Sequence, residues 1–371
     1  MIDSPAPSFA LCRPDRTVVA HGGGAVFRSA AEAAAALRSG RVGYVVGALP
    51  FAPGAPAALW APRYVTISDD AHRPARPELP RFEFAAALPA PETHVRRVAE
   101  AIRVLADPAE RLRKVVLARA VLARAERRVA PAELLDLLVA TDPLGNGFRT
   151  ELSAAGGAYR GRHLIGSSPE ILVRRDGATV LSHPLAGSAR RVPDDPATDR
   201  AAGRNLLGSA KDHHEHRFVV DHVGAVLRRL CGTVHVPDGP ELTGTPEMWH
   251  LGTPITATGG PSALELAAAL HPTPAICGTP TEDAARLIAR LEGDRGFYAG
   301  AVGWCDAAGD GEWMVAIRCA ELAADHRTLL AHAGGGIVAE SDPAAELAET
   351  TGKFQRVLGP LGLADTPVPV S

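Results

Sequence analysis

From about residue 92 onward, after a loop-rich first part, runs of β-branched residues alternate with helical patterns, and this alternation restricts the folds open to this chain. The sequence KVVLARAVLARA at 114–125 is typical of a strand, and shorter strand-like runs lie at 163–165, 170–175, 178–182, 298–305, 312–321 and 327–332. Apolar residues at helical spacing predict helices at 92–106, 131–140, 211–230, 262–270, 281–291 and 343–358. Clustered strands with helices between them predict an α+β fold built on large, mainly antiparallel sheets.

One long segment, 183–205, fits neither pattern. It is polar and rich in arginine, proline and aspartate, so we expect an irregular loop. A loop of this length in a compact domain usually has a function or is disordered. No shift of composition marks a domain boundary after residue 92.

Composition argues against several classes of protein. The 371 residues carry a net charge of -3 and contain no block of Lys and Arg, so nothing favours nucleic-acid binding. The longest uncharged stretch, 42–62, is broken by prolines and glycines and does not predict a membrane span. Five cysteines without a CxxC pair fit reduced thiols, and the N-terminus does not resemble a secretory signal, so we expect a cytoplasmic protein.

The predicted helix at 211–230 places a carboxylate on its apolar side. Glu215 lies four residues before Val219 and so shares the core-facing side of the helix. An unpaired carboxylate there would be costly, and an arginine, a lysine or a metal ion could compensate it. The histidines at 213, 214 and 216 are too closely spaced to face one ion, so we expect them to be solvated or packed.

A second predicted helix carries two glutamates and a lysine on one face. Glu346, Glu349 and Lys353 lie beside the apolar stripe of 343–358. Two carboxylates three residues apart repel each other unless a cation is near. Such a pair is often only a solvated helix face. Together with Glu215, however, it suits a hard cation such as Mg²⁺, which binds one or two carboxylates and keeps waters and substrate oxygens.

Three further features could serve an anionic ligand. The glycines at 334–336 follow a predicted strand, where they could expose backbone N–H donors or simply form a tight turn. Arg318 lies in a predicted apolar strand, and a buried arginine needs an acid or an anionic ligand. Lys114 begins an apolar strand, where burial could deprotonate it so that it acts as a base, although an ordinary edge-strand lysine would fit the same pattern.

Taken together, the ordered motifs resemble the chorismate-utilising enzymes, a family that includes anthranilate synthase component I, aminodeoxychorismate synthase, salicylate synthase and isochorismate synthase. The resemblance extends from Lys114 to Leu358 and includes KVVLAR, GSSPEILVRR, SAKDHHEHR, MWHLGTPI and AETTGKF. The segments HPLAGSARR, LHPTPA and GWCDAAGDGEW are most similar to isochorismate synthases that serve 2,3-dihydroxybenzoate siderophores. One segment departs from the pattern, because AHAGGGI replaces the more common FAGAGI.

The resemblance implies a fold and its division along the chain. It implies a single large domain of layered, twisted β-sheets flanked by helices, with the active site in a deep cleft. The chorismate-binding catalytic region would be 92–358, preceded by a divergent N-terminal part of the same fold at 1–91 and followed by a C-terminal tail at 359–371.

The resemblance also implies the catalytic and metal-binding residues. Glu215 and Glu349 would hold Mg²⁺, with Glu346 close by. Lys114 would be the general base that activates water for attack at C2 of chorismate, and Glu170 the general acid that protonates the departing C4 hydroxyl. These residue types suit the reaction, because a neutral lysine activates water and a buried, protonated carboxyl group can assist a poor leaving group.

The remaining implied residues bind the substrate. Its carboxylates would be held by Arg318, Lys353 and the backbone near Gly334 and Gly336. The ring site would contain Ala186, Gly187, Ser188, His250, Ala275 and Tyr298.

Four of these positions help to choose among the reactions of the family. Ala186 stands where aminodeoxychorismate synthases carry a nucleophilic lysine, and Lys114 is present where ammonia-using anthranilate synthases generally lack it. Ser188 favours isochorismate as the end product, whereas Tyr298 is more typical of salicylate synthases, which also eliminate pyruvate. We expect a Mg²⁺-dependent isochorismate synthase, with salicylate synthase as the alternative and an inactive, partner-binding relative as the remote one.

The expected partner is therefore chorismate. We expect no nucleic acid, no membrane and no obligatory glutaminase subunit, and we expect a monomer. The product could serve siderophore, menaquinone or other natural-product synthesis.

Overall fold

Antiparallel strands form the sheets of the molecule, and within residues 8–363 eight helices pack on them. A computed structural model describes residues 8–363. The strands are β1 (Ser8–Arg13), β2 (Arg16–His21), β3 (Val26–Phe27), β4 (Tyr44–Leu49), β5 (Ala58–Trp60), β6 (Tyr64–Ser68), β7 (Phe82–Leu88), β8 (Lys114–Ala125), β9 (Gly147–Glu151), β10 (His163–Gly166), β11 (Ile171–Asp176), β12 (Thr179–His183), β13 (Leu185–Arg190), β14 (Val234–His235), β15 (Glu241–Gly244), β16 (Met248–Gly252), β17 (Ile255–Thr258), β18 (Gly278–Thr279), β19 (Ala301–Asp306), β20 (Gly311–Val315), β21 (Cys319–Leu322) and β22 (Thr328–Ile337). The helices are α1 (Ala30–Arg38), α2 (Pro91–Ala106), α3 (Pro131–Ala140), α4 (Pro196–Leu207), α5 (Ala210–Leu230), α6 (Ala263–Leu270), α7 (Thr281–Leu291) and α8 (Pro343–Leu358).

Two large sheets and one small sheet contain these strands. The first sheet has the order β18-β8-β22-β21-β10-β9-β1-β2-β6, with β7 also paired to β8, and the second has the order β14-β17-β12-β11-β20-β19-β4-β5-β3. The third contains only β13, β16 and β15. One apolar core includes side chains from both large sheets, among them the fully buried Trp60, Trp313 and Phe148. The predicted α+β fold with layered, mainly antiparallel sheets is confirmed.

The N-terminal strands belong to the same sheets as the rest of the chain. β1 pairs with β9 in the first sheet, and β4 pairs with β19 in the second. The predicted helices are all present, within one residue at their ends. None of the helices in residues 8–363 is long and apolar enough to cross a membrane. The predicted tail at 359–371 lies outside the described residues from 364 onward.

The longest strand pair supports much of the candidate site. All ten residues of β22 pair with β8, from Thr328 opposite Arg124 to Ile337 opposite Val115. β8 is rich in valine and is buried on both faces over most of its length, as suits a central strand. The register places Lys114, the first residue of β8, beside the glycine-rich end of β22.

Helices α5 and α8 carry the candidate carboxylates and begin at clear capping residues. The Ser209 hydroxyl accepts a hydrogen bond from the Asp212 N–H at the start of α5, and the Asp342 carboxylate accepts one from the Ala345 N–H at the start of α8. The apolar face of α8 includes Phe354, which is 2 % exposed. Each such buried side chain stabilises the packed helix by roughly 1.5–3 kcal/mol.

The prediction of an irregular loop at 183–205 was wrong. Residues 185–190 form β13, and 196–207 form α4. The Asp195 carboxylate accepts hydrogen bonds from two backbone N–H groups in the first turn of α4, and Pro196 occupies the first helical position. Aspartate followed by proline is a helix-start signal, and the abundance of polar residues obscured it.

Two further sequence expectations need correction. The strand expected at 312–321 is divided into β20 and β21, and Arg318 lies between them with a φ of 50° rather than within a strand. The glycines at 334–336 lie inside β22, not in a turn after it. They pair with β8 as ordinary strand residues, and the absence of side chains there serves close packing against α5 and α8.

Candidate active site

A cavity of about 230 Å³ opens where β22, the small sheet and helices α5 and α8 meet. It is lined by every residue that the sequence predicted for the site except Lys114, namely Glu170, Ala186, Gly187, Ser188, Glu215, His250, Ala275, Tyr298, Arg318, Gly334, Gly336, Glu346, Glu349 and Lys353. The Lys114 ammonium lies behind the wall, next to Glu215. The structure thus brings together residues that are more than 200 positions apart in the chain.

Lys114 and Glu215 form a buried ion pair. The Lys114 Nζ lies 2.9 Å from the Glu215 Oε1; the lysine side chain is fully buried and that of the glutamate is 12 % exposed. Burial alone would raise the pKa of Glu215, but the Lys114 ammonium outweighs it and holds that pKa below its usual range. The sequence left an arginine, a lysine or a metal ion as the group that compensates the charge of Glu215. In the protein itself that group is Lys114.

Close approach of α5 to β22 requires glycine at position 336. A Cβ on Gly336 would overlap the Glu215 Oε1 and would lie 3.1 Å from the Lys114 Cε. Residue 336 is opposite Val116 in the ladder, so its position is fixed by the sheet. This glycine makes room for the ion pair.

The glutamates of α8 differ in their surroundings. The Glu346 Oε1 accepts a hydrogen bond of 2.8 Å from the Ser341 hydroxyl, whereas its Oε2 is buried without a partner among residues 8–363. Burial and the neighbouring charge of Glu349 raise the pKa of Glu346 to about 7. Glu349 itself pairs with the Lys353 ammonium at 2.5 Å, and that ammonium also donates to the Gly334 carbonyl at 3.0 Å.

These carboxylates suit a magnesium ion. Glu215, Glu346 and Glu349 reach the glycine-rich end of β22 from two helices, and the buried Glu346 Oε2 has no donor among residues 8–363. The part of the chain that the structure describes contains no closed group of three His, Cys, Asp or Glu side chains that would hold a metal alone. Mg²⁺ needs only one or two protein carboxylates, because water and substrate oxygens complete its shell. The donor set therefore fits Mg²⁺ and does not resemble a zinc site.

Glu170 is a further buried carboxylic acid that lines the cavity. It lies just before β11, and its backbone carbonyl accepts a hydrogen bond of 3.1 Å from the Val315 N–H. Its side chain is 3 % exposed. Burial raises the pKa of Glu170 to about 8, although the Leu185 N–H and the charges of Lys114 and Arg318 act in the other direction. The carboxyl group is therefore largely protonated at neutral pH, as a general acid must be.

The small sheet lines another part of the cavity. Ser188 in β13 lies opposite His250 in β16, and the Ser188 Oγ is 3.0 Å from the His250 Nδ1. The His250 Nε2 lies 3.4 Å from an Arg318 Nη atom. Burial, and then the charge of Arg318, holds the pKa of His250 well below its usual value, so the imidazole is neutral. The contacts assign its proton to Nδ1, with Nε2 accepting from the guanidinium.

Arg318 is buried but incompletely satisfied. It is 5 % exposed, and its Nη1 has no hydrogen-bond partner within residues 8–363. Burial lowers the pKa of Arg318 from its ordinary value. Its positive φ departs from extended geometry at the junction of β20 and β21, in a conformation that costs non-glycine residues on the order of 1 kcal/mol or more. A guanidinium held in this way is suited to receive an anionic group.

An aromatic pair forms the remaining wall. The rings of Tyr298 and His332 stack with centroids 4.8 Å apart and an interplanar angle of 13°. A Cβ on Gly334 would lie 3.0 Å from the Tyr298 hydroxyl oxygen, so this hydroxyl lies against β22. Burial raises the pKa of Tyr298 and lowers that of His332 to about 4, which leaves both side chains uncharged at neutral pH.

Sequence reasoning missed the support that His216 gives to the site. Its Nδ1 lies 3.2 Å from the Ala186 carbonyl oxygen, and its Nε2 lies 2.7 Å from the Thr253 hydroxyl. The expectation that this histidine is solvated or packed was right about packing but missed its contact with β13. Its position next to Glu215, one residue from the core-facing side of α5, was the available signal. Lys211 and Asp212 also line the cavity and were not anticipated.

Comparison with known proteins identifies the family. The family model described as chorismate binding enzyme matches residues 59–362. The chain belongs to this family. A Mycobacterium tuberculosis protein provisionally named isochorismate synthase MenF is 48% identical over 97% of both chains.

Two further members of the family are similar over most of the chain. Isochorismate synthase DhbC of Bacillus subtilis is 43% identical over 86% of this chain and 81% of its own length. The crystal structure of a Bacillus anthracis protein, provisionally named 2,3-dihydroxybenzoate-specific isochorismate synthase DhbC, superposes with a TM-score of 0.88 at 40% identity. That superposition covers 96% of each chain, so the predicted chorismate-utilising fold is confirmed.

Proposed function

We propose that this protein is an isochorismate synthase, an isomerase that converts chorismate to isochorismate. The observation that carries the proposal is the placement of a buried lysine, Lys114, and a protonated carboxylic acid, Glu170, around one cavity that also contains Arg318 and Lys353. Relatives named isochorismate synthase, which are similar over most of the chain, support the same reaction.

Chorismate is a dicarboxylate, and the cavity offers two cations for it. The Arg318 Nη1 has no hydrogen-bond partner within residues 8–363. The Lys353 ammonium lies at the glycine-rich end of β22, 3.0 Å from the Gly334 carbonyl oxygen. The neutral His250 accepts from Arg318 and fixes the plane of the guanidinium. With its carboxylates bound on that side, the substrate ring would lie against β13 and Tyr298.

The isomerisation consumes one water and releases another. In the proposed mechanism Lys114 enters the step as the neutral amine, after its ammonium has passed a proton to solvent, and it accepts a proton from water as the water oxygen bonds to C2 of the ring. The two ring double bonds each shift by one position, the C4–O bond breaks, and Glu170 protonates the leaving hydroxyl. A positioned acid or base contributes on the order of 10²–10⁴-fold to such a step. Proton return from Lys114 to Glu170 through solvent completes the cycle.

Glu215 and Glu349 would hold Mg²⁺, with Glu346 near it. When bound, the ion would offset the negative charge of a substrate carboxylate and help to orient the ring. In the protein itself Glu215 pairs with Lys114, and Glu349 pairs with Lys353, so both carboxylates already lie beside positive charges. Water rather than ammonia is the proposed nucleophile, so the proposal requires no glutaminase partner.

We further propose that the protein acts in the cytoplasm as a monomer, with residues 92–358 as the chorismate-binding region. The five cysteines are all free thiols, which fits a reducing compartment. The Tyr298 hydroxyl on the cavity wall keeps salicylate formation as the second candidate activity, because it adds a polar group beside the ring site.

Product analysis tests the proposal. Purified protein is incubated with chorismate and Mg²⁺, and the products are separated by chromatography with and without EDTA. We expect metal-dependent formation of isochorismate that stops at a stable mixture with chorismate. Salicylate and pyruvate at a comparable rate would assign a salicylate synthase instead. No consumption of chorismate, with or without ammonia, would contradict both and favour an inactive relative.

A further inference from the structure

Arg119 is a buried arginine that the reaction does not use. It lies in β8, five residues after Lys114, and is 2 % exposed. Its Nη1 has no hydrogen-bond partner within residues 8–363. Burial lowers its pKa to about 10, which reflects the cost of placing this charge in the interior. A costly buried group usually has a specific set of partners that accounts for its presence.

The Arg119 side chain donates three hydrogen bonds to α8. The Nε donates to the Thr350 hydroxyl at 2.9 Å, and one Nη donates to the Thr351 hydroxyl at 2.5 Å and to the Leu347 carbonyl at 3.3 Å. The guanidinium also lies over the Phe354 ring, 5.1 Å from its centroid. Arg119 therefore contacts two successive turns of this helix.

These are the turns that carry the candidate metal ligands. Leu347 directly follows Glu346, and Thr350 directly follows Glu349. The Thr350 hydroxyl in turn donates to the Glu346 carbonyl at 3.1 Å. The guanidinium thus connects β8, the strand that begins with the candidate base, to residues that directly follow Glu346 and Glu349 in α8.

The packing of α8 on the sheet leaves little room for displacement. Arg119 is opposite Ala333 in the β8–β22 ladder, and the neighbouring Gly335 faces the helix. A Cβ at Gly335 would lie only 2.9 Å from the Glu346 Oε2. A small rotation or slide of α8 would therefore move this carboxylate into the strand or away from it. Mg²⁺ demands near-ideal octahedral geometry at about 2.0–2.1 Å and tolerates such shifts poorly.

We propose that Arg119 is a positioning residue for the magnesium site, because it fixes the rotation and axial position of α8 and so holds Glu346 and Glu349 in place relative to β8 and β22. This inference rests on the proposed function, which assigns Mg²⁺ to these glutamates. Groups that orient metal ligands typically contribute about 10–100-fold to metal affinity when tested by mutation.

The test compares magnesium affinity in two arginine variants of the same protein. Arg119→Lys keeps the charge but cannot reach three acceptors on α8 at once. Arg356→Lys is the control, because Arg356 is a buried arginine within α8 that bonds to the Leu138 and Thr141 carbonyls and pairs with Asp142, rather than with residues next to Glu346 and Glu349. Affinity is obtained from the rise in melting temperature with added MgCl₂ alone, which needs no turnover.

We expect Arg119→Lys to weaken magnesium binding about tenfold or more, and Arg356→Lys to lower the melting temperature while changing the magnesium affinity less than about twofold. Equal magnesium affinities in wild type and Arg119→Lys, or equal losses in both variants, would overturn the inference while leaving the proposed function intact. Absence of magnesium binding to the wild type would instead contradict the assignment of Mg²⁺ to these glutamates, on which the inference and the proposed metal dependence both rest.

A second variant serves if Arg119→Lys does not fold. Thr351→Val removes one acceptor of the guanidinium and leaves Arg119 in place. We expect a severalfold loss of magnesium affinity that Thr351→Ser restores. Unchanged affinity in Thr351→Val, or a loss that Thr351→Ser does not restore, would argue that the hydrogen bonds of Arg119 have only a structural role.

Discussion

At the scale of single residues, the site depends on ionisable groups whose charges are set by burial and by their neighbours. Glu170 and Glu215 are both carboxylates in one cavity, yet burial raises the pKa of the first to about 8, while Lys114 holds the pKa of the second low. Different environments thus prepare one as an acid and the other as an anion. The sequence suggested both roles, but only the structure shows that Glu215 also pairs with Lys114.

The first prediction concerns the pH dependence that Glu170 imposes on activity. The carboxyl group must be protonated to act as an acid, so kcat should fall as pH rises through about 8. Glu170→Gln should lower kcat by about 10²–10⁴-fold and leave chorismate binding nearly unchanged. Steady-state kinetics from pH 6 to 10 would check this. A wild-type kcat that keeps rising above pH 9 would contradict the role of Glu170 as the acid.

The second prediction concerns stability at the same residue. The pKa of Glu170 is higher in the folded protein than its ordinary value of 4.5, so the native state binds a proton that the unfolded chain has lost. Stability from this group is therefore complete at low pH and declines as pH rises toward about 8. Glu170→Gln removes the ionisation, so we expect the variant to melt at a higher temperature than wild type at pH 8.5, with little difference at pH 5. Equal melting temperatures at both pH values would argue against a buried, neutral Glu170.

The third prediction concerns the Lys114–Glu215 pair. Removing one partner from a buried ion pair leaves a charge uncompensated and typically costs about 3–5 kcal/mol, whereas removing both is often much less costly. Lys114→Met and Glu215→Gln should each destabilise the protein strongly, and the double variant should be more stable than either. Urea unfolding of the four proteins measures the coupling. Additive losses would show that the two side chains do not interact in the folded protein.

At the scale of elements, the close packing of α5 and α8 on β22 determines where the carboxylates lie. The sequence predicted both helices and their glutamate faces, because apolar residues recur at helical spacing. It did not predict that the glycines at 334–336 remain in a paired strand, because glycine clusters are more common in turns. That pairing depends on β8, which precedes β22 by about two hundred residues and is not a local signal.

The fourth prediction follows from this packing. Gly336→Ala would place a methyl group against the Glu215 carboxylate, so we expect a destabilised protein with little activity and weakened magnesium binding. Gly43→Ala is the control, because no atom lies within 4 Å of a Cβ at that position. Melting temperatures and magnesium titrations of the two variants check the difference. Similar behaviour of Gly336→Ala and Gly43→Ala would mean that α5 does not approach β22 closely.

At the scale of the whole molecule, the sheets assemble one cavity from distant parts of the chain. The alternation of strands and helices predicted an α+β fold with mainly antiparallel sheets, and the family resemblance implied the layered architecture and the residues that would surround one cavity. The strand order could not be derived from the sequence, because β1 pairs with β9 and β4 with β19 across long separations. The polar segment at 183–205 was also misjudged, although β13 within it lines the cavity.

The central claim is that the protein adds water at C2 of chorismate in this cavity and releases the C4 hydroxyl, with Lys114 as the base and Glu170 as the acid. The most direct test is to run the wild-type reaction briefly in H₂¹⁸O with chorismate and Mg²⁺ and to locate the label by mass spectrometry. We predict that the newly formed isochorismate carries ¹⁸O at C2, and that Lys114→Met forms almost none. Isochorismate without solvent oxygen at C2, or the absence of isochorismate from the wild-type reaction, would contradict the account.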